Sequence, residues 1–207
     1  MSVYSVLNYL NLISLSLVVI FGGVYFQKSN LPTKIFSITF FIVYVVQVVS
    51  YFLAIYSVSN LLLFHLYFAA QLAGYGLFYW MILPSTPSKK WFLAFLAVCL
   101  VLVGWEYSSK WGNLAQVFGG YSYFAMNMVF VFTSIFYLVH GVLKDKEIEH
   151  KFLNYGMIVY AGGSSIVFLL GDKLSHLDWR PLLLINLLLF LVFQGFYFTQ
   201  LWKVRNS

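Results

Sequence analysis

Seven apolar segments of about 20 residues, separated by short polar connections, constrain this chain more than any other feature. At 1.5 Å per residue each would cross the ~30 Å hydrocarbon layer of a bilayer as a helix. The segments fall at about 4–26, 35–56, 61–83, 91–105, 115–143, 152–170 and 182–202. Backbone polar groups in hydrocarbon must be satisfied within the segment, so the expected fold is all-α, a seven-transmembrane-helix bundle. Composition agrees: 62% of the 207 residues are hydrophobic and 9% are charged. That is too little charge to cover a water-facing surface, since soluble domains average about 25%. No room remains for a second domain, and no cleavable signal peptide is expected.

The placement of Lys and Arg orients the bundle. With the amino terminus outside, the cytoplasmic segments hold Lys28, Lys34, Lys89, Lys90, Lys144, Lys146, Lys151, Lys203 and Arg205. The outer segments hold Lys110, Lys173 and Arg180. Nine against three gives amino terminus out and carboxyl terminus in. The net charge of +6 is therefore a matter of membrane orientation, and no nucleic-acid partner is expected. Cys99 lies in an apolar segment and, as the only cysteine, forms no internal disulfide. The connection Lys144–Lys151 reads as a solvated turn with compensating charges, and as a surface that a cytoplasmic partner could use.

Polar residues within the spans are unevenly spread. Asn8, Asn11, Gln47, Ser50, Tyr51, His65, Glu106, Gln116, Asn127, Ser164, Ser165 and Asn186 fall in the outer or middle part of their segments. Polar groups in hydrocarbon face one another or a wet cavity. Two explanations stand: an outward-facing polar pocket lined by Asn11, Tyr51, His65, Asn127, Ser164 and Asn186, or hydrogen bonds that simply link helices. No Asp, Glu, Lys or Arg falls in the middle of a span, which argues against ion pumping and coupled transport.

Catalysis would draw on a different set. Asp172 and His176 lie four residues apart at the exit of segment six, with His65 and Glu106 on other segments at similar depth. Together these could form an acid–base site acting on lipid near the outer leaflet. Asp, Lys, His and Arg gathered in a loop also make an ordinary solvated hairpin tip. The seven-span ceramidase and progestin-receptor-like hydrolases use several His at helical spacing, and this chain has no H-x-x-x-H. Gly163-Ser164-Ser165 is similar to the serine motif of rhomboid proteases, but no histidine follows on a later span. Small residues there, and at Gly22-Gly23, Gly74-x-Gly76 and Gly119-Gly120, are expected to let helices approach closely. No metal or cofactor is expected.

Phe64-His65-Leu66-Tyr67, Phe78-Tyr79-Trp80 and the closing Leu201-Trp202-Lys203 resemble a group of small seven-span bacterial membrane proteins of Bacteroidetes type. The layout also resembles the seven-span sensor regions of histidine kinases. The resemblance implies a bundle in the bacterial inner membrane and supplies no catalytic residues. Because the sequence ends at Ser207, soon after segment seven, any output would belong to another polypeptide. The expected role is a non-enzymatic sensor, accessory or scaffold subunit, held in the lipid bilayer beside another membrane or cytoplasmic protein. A lipid-directed hydrolase and a purely structural envelope subunit are the alternatives.

Overall fold

A computed structural model describes residues 3–56, 61–109, 120–145, 147–173 and 180–205. The described residues form seven helices: α1 (Val3–Val24), α2 (Leu31–Ile55), α3 (Leu61–Ile82), α4 (Thr86–Ser108), α5 (Gly120–Leu143), α6 (Lys151–Lys173) and α7 (Arg180–Arg205). Counting described residues alone, six of them, all but α3, are long and apolar enough to cross a membrane. This is the build of a multi-pass membrane protein. α3 is as long as α1 and carries His65, Gln71 and three tyrosines.

Where the helices start follows from local chemistry. Asn30 caps α2: its Oδ1 accepts the Thr33 N–H at 3.0 Å, and Pro32 sits in the first turn. α4 begins well before the expected Trp91. Ser85 and Ser88 form a reciprocal capping box, and Pro87 occupies the first turn, where its missing N–H costs nothing. Pro87 is therefore part of the helix.

Exposure runs opposite to that of a water-soluble protein. Asn11, Gln71 and Gln194 are 0% exposed, whereas Ile13, Val101 and Phe132 are 58%, 71% and 67% exposed. Polar side chains inside and aliphatic ones outside are what a hydrocarbon solvent selects. The inside is largely aromatic. Phe36 of α2 is fully buried and meets Tyr75 and Phe78 of α3 and Phe193 and Tyr197 of α7 at centroid distances of 5.1–5.9 Å. Such offset and edge-on pairs add to what area burial alone supplies.

α5, α6 and α7 pack side by side, α1 closes against α7 and α2, and α2 packs on α3. α4 lies at the periphery, mainly against α5. Two glycines set close approaches. A Cβ on Gly74 would stand 1.8 Å from Thr39 Oγ1, and one on Gly163 would stand 2.4 Å from Leu189 Cδ1. Bare backbone there lets α3 reach α2 and α6 reach α7.

Candidate functional site

α3 places Tyr67, Gln71, Tyr75 and Tyr79 at every fourth position, and hence on one face. That face turns inward. Tyr67 and Tyr160 of α6 share a hydroxyl–hydroxyl bond of 2.7 Å. The Gln71 Nε2 donates to Tyr160 Oη at 3.4 Å, and the Tyr123 hydroxyl of α5 donates to Gln71 Oε1 at 3.0 Å. Tyr123 and Tyr160 hydroxyls also meet, at 3.4 Å. One carboxamide thus joins phenols from two other helices, donating through nitrogen and accepting through oxygen.

Rings close this network on both sides. Phe68 and Phe168 lie 5.2 and 4.2 Å from the Tyr123 ring. Phe193 stacks on Tyr160 at 5.1 Å, and Phe130 meets Tyr75 edge-on at 5.8 Å. Within it, Tyr75 Oη and Asn127 Nδ2 are buried with no hydrogen bond of normal geometry. Asn127 Nδ2 is a donor needing an acceptor, and the Tyr75 hydroxyl can serve either role. Below the network, Tyr79 bonds Ser134 of α5. These groups carry no charge, so they suit hydrogen bonding to a neutral polar group.

A second feature is open. A groove of about 450 Å³ runs between α1 and α2 toward the Tyr4 and Ile55 ends, lined by Asn8, Tyr9, Gln47, Ser50, Tyr51 and Leu187 among others. The Tyr51 hydroxyl donates to Tyr9 Oη across it at 2.9 Å. Behind it Asn11 is fully buried: its Nδ2 donates to the carbonyls of Leu187, at 3.0 Å, and Leu7, at 3.3 Å. Its Oδ1 accepts from Gln194 Nε2 at 3.2 Å. Tying α1 to α7 is therefore Asn11's visible work.

The other residues singled out in the sequence are dispersed. Tyr51 lines the groove and Asn11 stands behind it, while Asn127 belongs to the network under α3. Ser164 donates to Asn186 Oδ1 at 2.6 Å, linking α6 to α7. His65 Nδ1 bonds the Tyr107 hydroxyl of α4. Glu106, only 5% exposed, accepts the Ser122 N–H of α5 at 3.0 Å. The Asp172 side chain and all of His176 and Gln116 lie outside the described residues. Among the described residues no three His, Cys, Asp or Glu side chains come together.

The loop between α5 and α6 keeps Lys144, Asp145, Glu147 and Glu149 exposed, as expected of a solvated turn, but it is also tied to the bundle and buries His150. Asp145 ends α5 in the left-handed region, with φ of 48°, and turns the chain back. Gly141 has no side chain where a Cβ would stand 2.5 Å from Ile148 Cγ1. Asn30 Nδ2 donates to Glu149 Oε1 and lies 3.4 Å from His150 Nε2. Gln200 Nε2 of α7 donates to the Glu149 carbonyl at 2.9 Å, and Lys203 Nζ donates to Glu147 Oε1 at 2.6 Å. His150 is 3% exposed, and burial holds its imidazole below the usual histidine pKa, with Glu149 opposing and Lys203 reinforcing the shift. Lys203 lowers the carboxyl of Glu147.

Tyr67, Gln71, Tyr160 and His150 had no place in the sequence-based site. The four-residue repeat 67–71–75–79 was the available signal for the first two. His150 gave none, because charged neighbours made it look solvated. No family model, curated protein or solved structure matches the chain.

Proposed function

We propose that this chain is a non-enzymatic integral membrane protein, a sensor, accessory or scaffold subunit. In this reading it binds a small neutral ligand in the α1–α2 groove and answers through a separate partner protein. The observation that carries it is the double engagement of α7. Leu187 lines the groove and its carbonyl accepts from Asn11, while Gln200 and Lys203 of the same helix hold the loop at 147–150. One rigid element thus touches both a ligand-sized groove and a polar surface suited to a partner. Signalling requires the ligand to favour one α7 position over another, because equal affinity shifts nothing.

The lining supports a neutral ligand. Asn8, Gln47, Ser50 and Tyr51 offer carboxamides and hydroxyls without charge. The binding reading is also favoured over a hydrolase because His65 and Glu106 each hold a separate partner, on Tyr107 and Ser122. With α3 as the seventh span and the amino terminus outside, the groove faces outward and the loop 144–150 faces the cytoplasm. The lysine asymmetry and the resemblance to sensor regions support that orientation, in a bacterial inner membrane.

The test is native mass spectrometry of the protein taken from its own membranes in mild detergent. A small molecule kept by the wild type and lost from a Gln47→Leu, Tyr51→Phe double variant is expected, as is a second polypeptide. A bare chain of 23.9 kDa, free of both, would overturn the proposal.

A further inference from the structure

A second groove, distinct from the one above, lies where peripheral α4 leans on α5. Its volume is about 500 Å³, within the range of small-molecule sites. Phe92, Val129 and Thr133 are among the residues lining it, together with Trp91, Phe95 and Phe132. Those last three are 68%, 55% and 67% exposed, so the groove opens sideways into the lipid. At 1.5 Å per residue, Phe136 lies about 10 Å and Val129 about 20 Å from the end of α5 at Leu143. The groove therefore runs from one interface to near mid-bilayer, along the path of an acyl chain.

Its interfacial end has a specific electrostatic character. Ser85, Pro87 and Ser88 line it where α4 begins, and Lys89 and Lys90 follow at once. The first turn of α4 has no acidic residue. Among the described residues neither lysine is paired with a carboxylate, and Lys89 Nζ instead lies 5.2 Å from the Trp80 ring centroid. The Ser85 and Ser88 hydroxyls are occupied with each other at 3.0 Å, which leaves the two ammonium groups as the unneutralised charge. Neither lysine lines the groove itself, but both follow Ser88 directly in α4. The apolar trough thus ends beside two cations without counter-charge, a match for one chain of a lipid with an anionic headgroup.

We infer that the α4–α5 groove is a binding site for one anionic phospholipid, with an acyl chain along Phe92 and Phe132 and its phosphate at Lys89 and Lys90. A zwitterionic lipid fills the same trough but leaves the lysines uncompensated. Selection between lipids therefore rests on the headgroup, and retention on the chain.

Trp91, in the wall of the groove, reports occupancy. The full chain is placed in phosphatidylcholine vesicles carrying a minor fraction of brominated phosphatidylglycerol or, in parallel, brominated phosphatidylcholine with the same chains. The difference between wild type and Trp91→Phe isolates the quenching of Trp91. The phosphatidylglycerol is expected to quench it more strongly, with a preference of order tenfold. A Lys89→Gln, Lys90→Gln variant should lose that preference while both lipids still quench. Equal quenching of the wild type by the two lipids, or an unchanged preference in the double variant, would overturn the inference. Thr133→Phe fills the groove without altering charge and should reduce quenching by both lipids. Unchanged quenching in that variant would equally count against an acyl chain in the groove.

Discussion

The carboxylate of Glu106, on α4, accepts the backbone N–H of Ser122 at 3.0 Å, in the first turn of α5. The N–H groups of a first turn have no partner within their own helix, and the positive end of the helix dipole favours an anion there. A buried acid that sequence placed in a catalytic set thus serves as a cap donated by one helix to the next. Glu106→Ala should lower the thermal unfolding midpoint in detergent, at a cost of about 1–3 kcal/mol, while Glu106→Gln should recover part of it. Loss of a biological activity in Glu106→Gln with an unchanged midpoint would return the residue to catalysis.

Gly74 and Thr39 set a close approach of α3 to α2. Gly74→Ala forces α3 away from α2, because every side-chain atom of Thr39 beyond and including Cβ would stand within 2.7 Å of the new methyl. About 1–3 kcal/mol of destabilisation is expected. Thr39→Gly in the same chain should restore most of it, and a double-mutant cycle reads the coupling. Additive effects would mean that the two helices are not limited by this contact.

Acid should loosen the loop at 144–150. The folded chain holds His150 below its ordinary value of 6.5, mainly through burial. The unfolded loop therefore binds the proton more tightly. The stabilisation is complete above that value and is lost as pH falls through the lower folded one. Glu147 is also depressed, below 4.5, so the window just under 6.5 belongs to His150. Hydrogen exchange in this loop, corrected for intrinsic rates, should accelerate between about pH 7.5 and about pH 5.5 in wild type and respond far less in His150→Gln. Equal acceleration in both would assign the effect elsewhere.

The network under α3 predicts opposite outcomes for neighbouring changes. Tyr75→Phe removes a buried hydroxyl that makes no hydrogen bond of normal geometry, so stability should hold or rise. Gln71→Leu leaves the Tyr123 and Tyr160 hydroxyls without their carboxamide and should cost about 1–3 kcal/mol. A loss of stability in Tyr75→Phe would instead point to a water or ligand held by that hydroxyl.

Much of the architecture was legible in the sequence, because apolar runs broken by Lys, Pro, Gly and Asn leave few alternatives to helices crossing lipid. The start of α4 was misplaced because Pro87 reads as a stop unless the Ser85–Ser88 capping pair before and after it is weighed. The site was harder for a geometric reason. Sorting polar residues by depth supplies one coordinate, whereas contact also needs the direction each faces around its helix and the identity of the neighbour. At similar depth Asn11 turned toward α7, Asn127 toward the α3 network, and Ser164 toward Asn186. Which helices stand side by side is a property of the whole bundle.

The tie between Asn11 and α7 also has a consequence for how the chain is made. Both of its long-range partners, the Leu187 carbonyl and the Gln194 carboxamide, lie on α7, six helices further along the chain. During synthesis the first helix waits in the bilayer while the intervening ones are threaded in, with a carboxamide bonded to little but its own Leu7 carbonyl. Intermediates that have not yet made α7 should therefore hold α1 through α2 alone. Arrival of α7 converts that provisional segment into a fixed stave of the bundle.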